Sequence, residues 1–215
     1  MKTFDITAGY EEYFTRYPIL DAEGVASIGY APAKMAPSER LFLWALAYGL
    51  RPATYLEIGS LEGGSALIVS AALDTLRCAG RMALIEPEPR ILPEVWARIA
   101  PRATLHRALS PQAIPEAVAA LGGPVELAFI DGDHSPEGAR ADAEGLLPHM
   151  AAGSYMLFHD AFFPDVKTAV DAFVRDHADR IVDCGTPTRE VTHDPEDEEK
   201  RPIWGGLRMI HVTTG

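Results

Sequence analysis

The chain holds 215 residues, 47% of them hydrophobic, with a formal net charge of −12; that is apolar material for one ordinary domain and the wrong charge for a nucleic-acid backbone. No run of 18 or more apolar residues offers a membrane span, and Met1-Lys2-Thr3-Phe4-Asp5 lacks the basic and apolar pattern of a secretion signal. Cys78 and Cys184 are the only cysteines and form no CxxC pair, so a soluble cytoplasmic protein without a disulfide framework is expected.

Residues 1–37 read as a lead-in to the domain at 38–215. Glu11-Glu12-Tyr13-Phe14 could start a short helix, but Pro18, Gly24, Gly29, Pro32 and Pro37 break the rest into loop. An ordered loop of that length is a candidate substrate lid, with Tyr30, Lys34 and Met35 able to line a site; a plain surface strap explains it equally well. Ser38 has the chemistry of an N-cap for a helix that stops near Gly49, with Leu41, Phe42, Ala45 and Leu46 on its packing face.

Residues 53–58 form an apolar strand that tightens through Gly59-Ser60-Leu61-Glu62-Gly63-Gly64-Ser65 into a long apolar helix at 66–73. Such a corner leaves backbone N–H groups and the positive helix end facing a ligand. The glycine spacing fits neither G-x-G-x-x-G nor a phosphate loop ending in Lys-Ser or Lys-Thr, which points to a ribose-bearing ligand with few or no phosphates. Glu86 ends the next strand, 81–85, where a carboxylate accepts hydrogen bonds from vicinal ribose hydroxyls; a solvated strand end near Arg81 or Arg90 is the plainer alternative. Trp96, on a short helix at 93–99, reads as core.

A third strand at 104–108 leads through Leu109-Ser110 to a helix at 111–121, and Ser110 is a weak candidate contact for a cofactor base. The fourth strand, 125–130, ends in Asp131-Gly132-Asp133-His134; the fifth, 155–158, ends in His159-Asp160. Five β-α repeats at this spacing predict a mostly parallel sheet with helices packed on it. Residues 180–184 and 207–212 are strands with no crossover helix between them, so they pair antiparallel if adjacent. Their connection carries the acidic run Asp194-Pro195-Glu196-Asp197-Glu198-Glu199, which reads as a solvated loop.

With strands one, four and five as neighbours, Asp131, Asp133, His134, His159 and Asp160 converge at the carboxyl edge, where open α/β sheets bind ligands. Clustered carboxylates repel unless something positive compensates, and a divalent cation does so with oxygen donors. Helix capping by the aspartates and a structural role for His159 are the alternatives.

Together, Glu57-Ile-Gly-Ser-x-Glu-Gly-Gly-Ser65, Glu86, Phe129-Ile-Asp-Gly-Asp-His134 and Phe158-His-Asp160 resemble the class I S-adenosylmethionine-dependent methyltransferases. The likeness is greatest to the metal-dependent small-molecule O-methyltransferases grouped with macrocin O-methyltransferase and the cephalosporin-hydroxylase-like enzymes, and extends more distantly to catechol O-methyltransferase. The resemblance implies a Rossmann-like, seven-stranded, mostly parallel sheet with helices on both faces and an antiparallel last strand. It implies S-adenosylmethionine held by Glu57, Gly59, Ser60, Gly63, Ser65, Glu86, Ser110 and Asp131. Asp131, His159 and Asp160 would hold a divalent metal, Mg²⁺ by its oxygen donors, with Asp133 or His134 as the base. His159 stands where relatives often carry another acidic ligand, and Ala108-Leu109-Ser110 replaces a more usual Gly-Asp-Ser or Gly-Asp-Ala. The implied reaction is methyl transfer to a hydroxyl of a small molecule, a vicinal diol or catechol being the natural acceptor. A metal-dependent hydroxylase and an inactive S-adenosylmethionine-binding protein are the competing readings. Neither a nucleic acid nor a membrane is an expected partner, and a homo-oligomer is left open, with a dimer the commonest form.

Overall fold

A computed structural model describes residues 22–193 and 203–214; Glu11–Phe14 and the acidic run at 194–199 lie outside the described residues. The alternation expected from the sequence is present. Helices α1 (Ala22–Tyr30) and α2 (Pro37–Leu50) precede β1 (Thr54–Ile58), α3 (Gly64–Thr75), β2 (Arg81–Ile85) and α4 (Pro93–Ile99). Then come β3 (Ala103–His106), α5 (Ile114–Leu121), β4 (Val125–Ile130), α6 (Pro136–Leu146), β5 (Met150–Phe158) and α7 (Pro164–Asp176). Strand β6 (Ile181–Asp183), a two-residue hairpin of β7 (Thr192–His193) with β8 (Ile203–Trp204), and β9 (Arg208–Val212) complete the described chain.

Seven strands form one sheet in the order β3-β2-β1-β4-β5-β9-β6. The first five run parallel, and β9 inserts antiparallel between β5 and β6. The pleat sends alternate side chains of each strand to opposite faces, and two apolar layers result. Leu56, Ile58, Ala128 and Ile130 meet α5, α6 and α7 through Ile114, Ala143, Val170 and Phe173. Tyr55, Leu84 and Phe129 meet α2, α3 and α4 through Leu43, Ile68 and Val95. Tyr55 and Phe129 are fully buried, each worth about 1.5–3 kcal/mol of burial. Trp96 is half-buried against the second layer.

Three expectations about the leading segment change. Residues 22–30 are helical despite Gly24 and Gly29, because tertiary bonds offset the glycine penalty. The Arg40 guanidinium donates to the carbonyls of Ile28, Gly29, Ala31, Ala33 and Met35, and Arg98 reaches Ser27 Oγ at 3.0 Å. Helix α2 starts at Pro37 with Ala36 as its N-cap, two residues before Ser38, since Glu39 Oε2 accepts the Ala36 N–H at 2.7 Å. Leu43, Trp44 and Ala47 are its buried apolar residues, Phe42 and Leu46 pack half-buried against the same core as expected, and Leu41 and Ala45 are exposed. The helix is apolar nearly all round, so periodicity under-determines which side packs.

Candidate active site

Hydrogen bonds staple the carboxyl ends of the parallel strands side by side. The N–H of Glu86 donates to His106 O, Gly59 to Ile85 O, Asp131 to Ile58 O and His159 to Ile130 O, at 2.8–3.0 Å. Residues far apart in sequence therefore share one edge. A cavity of about 890 Å³ opens along it, roofed by Pro32–Met35.

Gly59 has φ +86°, and a Cβ there would overlap the Asp131 carbonyl; only glycine gives both that backbone and that approach. Gly64 lies so close to Pro32 that a Cβ would overlap its backbone, so the leading segment is packed onto the turn. Gly59, Ser60 and Ser65 line the cavity. Glu57 and Gly63 stand behind its wall. Glu57 is fully buried, accepting from Tyr55 Oη at 2.5 Å and Ser65 Oγ at 2.7 Å. Burial pushes its carboxyl up to about 7, against the lowering effect of those two hydroxyls. Ser60 Oγ is buried and has no hydrogen-bond partner among the described residues.

Glu86 is buried, which rules out the solvated strand end. Its two oxygens accept the N–H groups of Leu61 and Glu88, both at 2.9 Å. A carboxylate has about four lone-pair sites, so two remain toward the cavity it lines.

At the other end, Asp131, His134 and Asp160 offer ligand atoms that all lie within 4.8 Å of one another. His134 Nε2 stands 3.0 Å from Asp160 Oδ2 and 3.5 Å from Asp131 Oδ1. Donors at right angles around a cation with ~2.1 Å bonds stand about 3.0 Å apart, so this set fits a small divalent ion. Asp160 has φ +51°, and its Oδ1 accepts the Gly205 N–H at 2.6 Å. This strained backbone is one that Asp tolerates better than most residues. Burial works to raise the Asp160 carboxyl, but the two histidines and the Gly205 N–H outweigh it and hold it below the usual range. Asp131 is lowered in the same way, burial being overcome by His159 and His134.

His159 is 4% exposed, and both its ring nitrogens face carboxylates: Nδ1 lies 3.1 Å from Asp131 Oδ1 and Nε2 3.3 Å from Glu39 Oε2. Its Nδ1 also lies 3.2 Å from Asp160 Oδ2, so the imidazole faces three acids, and His134 stands beside Asp131 and Asp160 as well. Asp133 is exposed on the cavity wall; its Oδ1 caps the Ser135 N–H at 2.8 Å, and Gly138 leaves room for its other oxygen. Phe163 and Trp204 stack at 4.3 Å, and His134 meets both edge-on.

Glu39, Asp142 and Trp204 were not foreseen from the sequence. Glu39 is 1% exposed and also accepts the Gly206 N–H; an acid three residues after an N-cap is a local capping signal, and nothing local points to His159. Asp142 did carry a signal, because Ala139, Asp142, Ala143 and Leu146 follow the helical buried-face spacing. Ser110 reaches the cavity wall and donates from Oγ to Asp142 Oδ1 at 2.5 Å.

This strand order, with a glycine turn after the first strand and an acid at the tip of the second, is an α/β Rossmann-like fold with a mixed, mostly parallel seven-stranded sheet. Residues 56–161 match the family described as "Methyltransferase domain". The solved structure of O-methyltransferase TomG from Streptomyces achromogenes, involved in tomaymycin synthesis and in complex with SAM, superposes with a TM-score of 0.62. It shares 21% identity over 94% of this chain and 95% of that one. An O-methyltransferase from Bacillus cereus in complex with SAH gives 0.63, with 18% identity over 94% and 96% of the two chains. Cofactor-bound Rv0187 from MTB gives 0.62, with 18% identity over 99% and 100%. No curated protein sequence matches the chain. The chain shares the fold of these O-methyltransferases, and a little under half of it matches the methyltransferase-domain family.

Proposed function

We propose that the protein transfers a methyl group from S-adenosylmethionine to a hydroxyl of a small molecule, a vicinal diol or catechol, with a divalent cation at the strand tips. The supporting observation is that one cavity joins Glu86, with lone pairs free for ribose hydroxyls, to the Asp131, His134 and Asp160 set. The Ser60 hydroxyl, without a partner among the described residues, lines the same cavity. Among the described residues the wall offers one Lys or Arg, Lys34 at the rim, which suits a donor without phosphates.

Asp131, His134 and Asp160 would hold the cation, Mg²⁺ in this reading; the imidazole nitrogen makes Mn²⁺, Fe²⁺ and Zn²⁺ the competitors. Such an ion supplies Lewis acidity that lowers the pKa of an acceptor hydroxyl, and two adjacent oxygens fit it best. With His134 turned to the two aspartates, Asp133 takes the hydroxyl proton, a contribution of typically ~10²–10⁴-fold. Glu86 and the glycine turn fix the donor, so alignment supplies much of the remaining acceleration. A cytoplasmic location and a small molecule in place of a nucleic acid belong to the same reading, supported by two free cysteines and the acidic charge.

The test is formation of S-adenosylhomocysteine with a catechol and an aliphatic diol, before and after chelation and with Asp160→Asn. Metal-stimulated turnover should fall at least ~100-fold in the variant while S-adenosylmethionine affinity stays within a few-fold. A rate indifferent to both chelation and the substitution would sink the metal assignment. Oxygen consumption without S-adenosylhomocysteine would favour the hydroxylase.

A further inference from the structure

The strap at Pro32–Met35 has open space on both sides. Its inner side roofs the cavity of about 890 Å³ lined by Glu86 and the glycine turn, while its outer side faces a second hollow of about 580 Å³ bounded by Pro37, Glu39, Glu190, Val191 and Gly205. Ala33, Lys34 and Met35 line both spaces, so the strap is a partition one segment thick. Such a segment can move outward without displacing a close-packed core.

The chief polar tie on this partition is one side chain. Arg40, half-buried near the start of α2, turns its guanidinium to backbone carbonyls. Its Nε donates to Met35 O at 2.9 Å, its Nη1 to Ile28 O at 3.2 Å, Gly29 O at 3.4 Å and Ala31 O at 2.8 Å, and its Nη2 to Ala33 O. These acceptors run from the last turn of α1 to the end of the strap, so a single planar fork spans the segment. The apolar restraints are slight: Ala31 and Met35 reach the core, and Pro32 rests on Gly64. Methionine is unbranched and repacks easily, and glycine has no side chain to grip.

We propose that Pro32–Met35 is a gate over the glycine turn, with the outer hollow as the space it swings into and the Arg40 guanidinium as the latch that holds it shut. The proposed function enters only through the identity of the ligand retained, S-adenosylmethionine or its product. With the strap down, Pro32 leaves no gap above the start of α3, and a ligand beneath the roof is hemmed in on that side. Opening breaks the fork's bonds, but the released carbonyls then meet water, so no buried acceptor is left unpaired.

The experiment compares the full-length wild type with Arg40→Met and Arg40→Lys by stopped-flow release of S-adenosylhomocysteine at pH 7.5 and by amide exchange with and without that ligand. In the wild type, residues 31–36 should exchange faster than the sheet strands and slow at least ~10-fold when the ligand binds. Arg40→Met should release the ligand at least ~10-fold faster and expose the strap amides, with association within ~3-fold and exchange in β1, β4 and β5 unaltered. Arg40→Lys keeps the charge but not the fork, and should behave like the methionine variant. Strap amides as protected as the sheet in the wild type, unchanged release in Arg40→Met, or fully slow release in Arg40→Lys would each overturn the latch. Protection lost evenly across the sheet in both variants would overturn it too, because Arg40 would then be holding the fold. If the wild type binds no S-adenosylhomocysteine, the ligand reading fails while strap exchange in the free protein still decides the gate.

Discussion

An ionised Asp142 burdens the fold it belongs to. Its carboxyl is raised to about 6 by burial, against about 3.9 for an unperturbed aspartate. Below about pH 4 both folded and unfolded states carry the proton and nothing is lost. Between about 4 and 6 the unfolded chain ionises while the folded one holds its proton, so stability declines as pH rises through that window and stays reduced above it. Asp142→Asn should therefore stabilise the protein at pH 7.5 by about 1–3 kcal/mol and hardly at pH 4. Urea unfolding at the two pH values measures this, and an equal gain at both would show that burial of charge is not the cause. Glu86 has the opposite economy, since backbone N–H groups already satisfy part of its carboxylate. Glu86→Gln keeps one acceptor oxygen and loses the charge, which should weaken S-adenosylhomocysteine binding by about 1.5–3 kcal/mol in calorimetry. Unaltered affinity would take Glu86 out of the ribose site.

Among the elements, two of the three glycines at the corner between β1 and α3 have different duties. Gly59 combines φ +86° with contact to the Asp131 carbonyl. Gly59→Ala should cost about 2–4 kcal/mol of global stability, because positive φ and backbone overlap both oppose the methyl group. Gly64 has an ordinary helical backbone and faces the strap at Pro32–Ala33. Gly64→Ala even favours the helix, so its effect should appear in the strap: faster proteolysis or amide exchange around residues 31–36 and weaker cofactor binding, with global stability within about 1 kcal/mol. If the two variants lose stability equally, the strap is not an independently movable element.

Across the whole molecule, Glu39 joins three regions. It caps its own helix at Ala36, faces His159 at the tip of β5, and receives the Gly206 N–H before β9. Removing one partner of a buried ionic contact typically costs about 3–5 kcal/mol. Glu39→Ala should approach that loss and raise hydrogen exchange at Gly205 and Gly206, whereas Glu39→Gln, which keeps an acceptor, should lose less. Identical exchange in wild type and Glu39→Ala would show that Glu39 does not tie the β8–β9 connection to the site.

Much of this architecture is legible in local pattern. The β-α alternation, the glycine corner, Glu86 and the acids after β4 and β5 could be read because strand period, turn chemistry and strand ends depend on neighbouring residues. The antiparallel close followed from the lack of a helix-length pattern in the sequence between residues 184 and 207. The helix at residues 22–30 was not legible, since its glycines argue against it and the Arg40 side chain that secures its carbonyls comes later in the chain. Nor was the packing face of α2, an apolar helix whose orientation the sheet decides. The sequence by itself determined which strand tips bear acids and histidines. Only the tertiary structure decided that His159 is held between Asp131 and Glu39, that His134 faces Asp131 and Asp160, and that Asp142 is buried against Ser110. Glu39 and His159 are 120 positions apart, and Ser110 and Asp142 are 32 apart. No periodicity spans such separations; the partners meet because the sheet order brings their strand tips and helices to one edge.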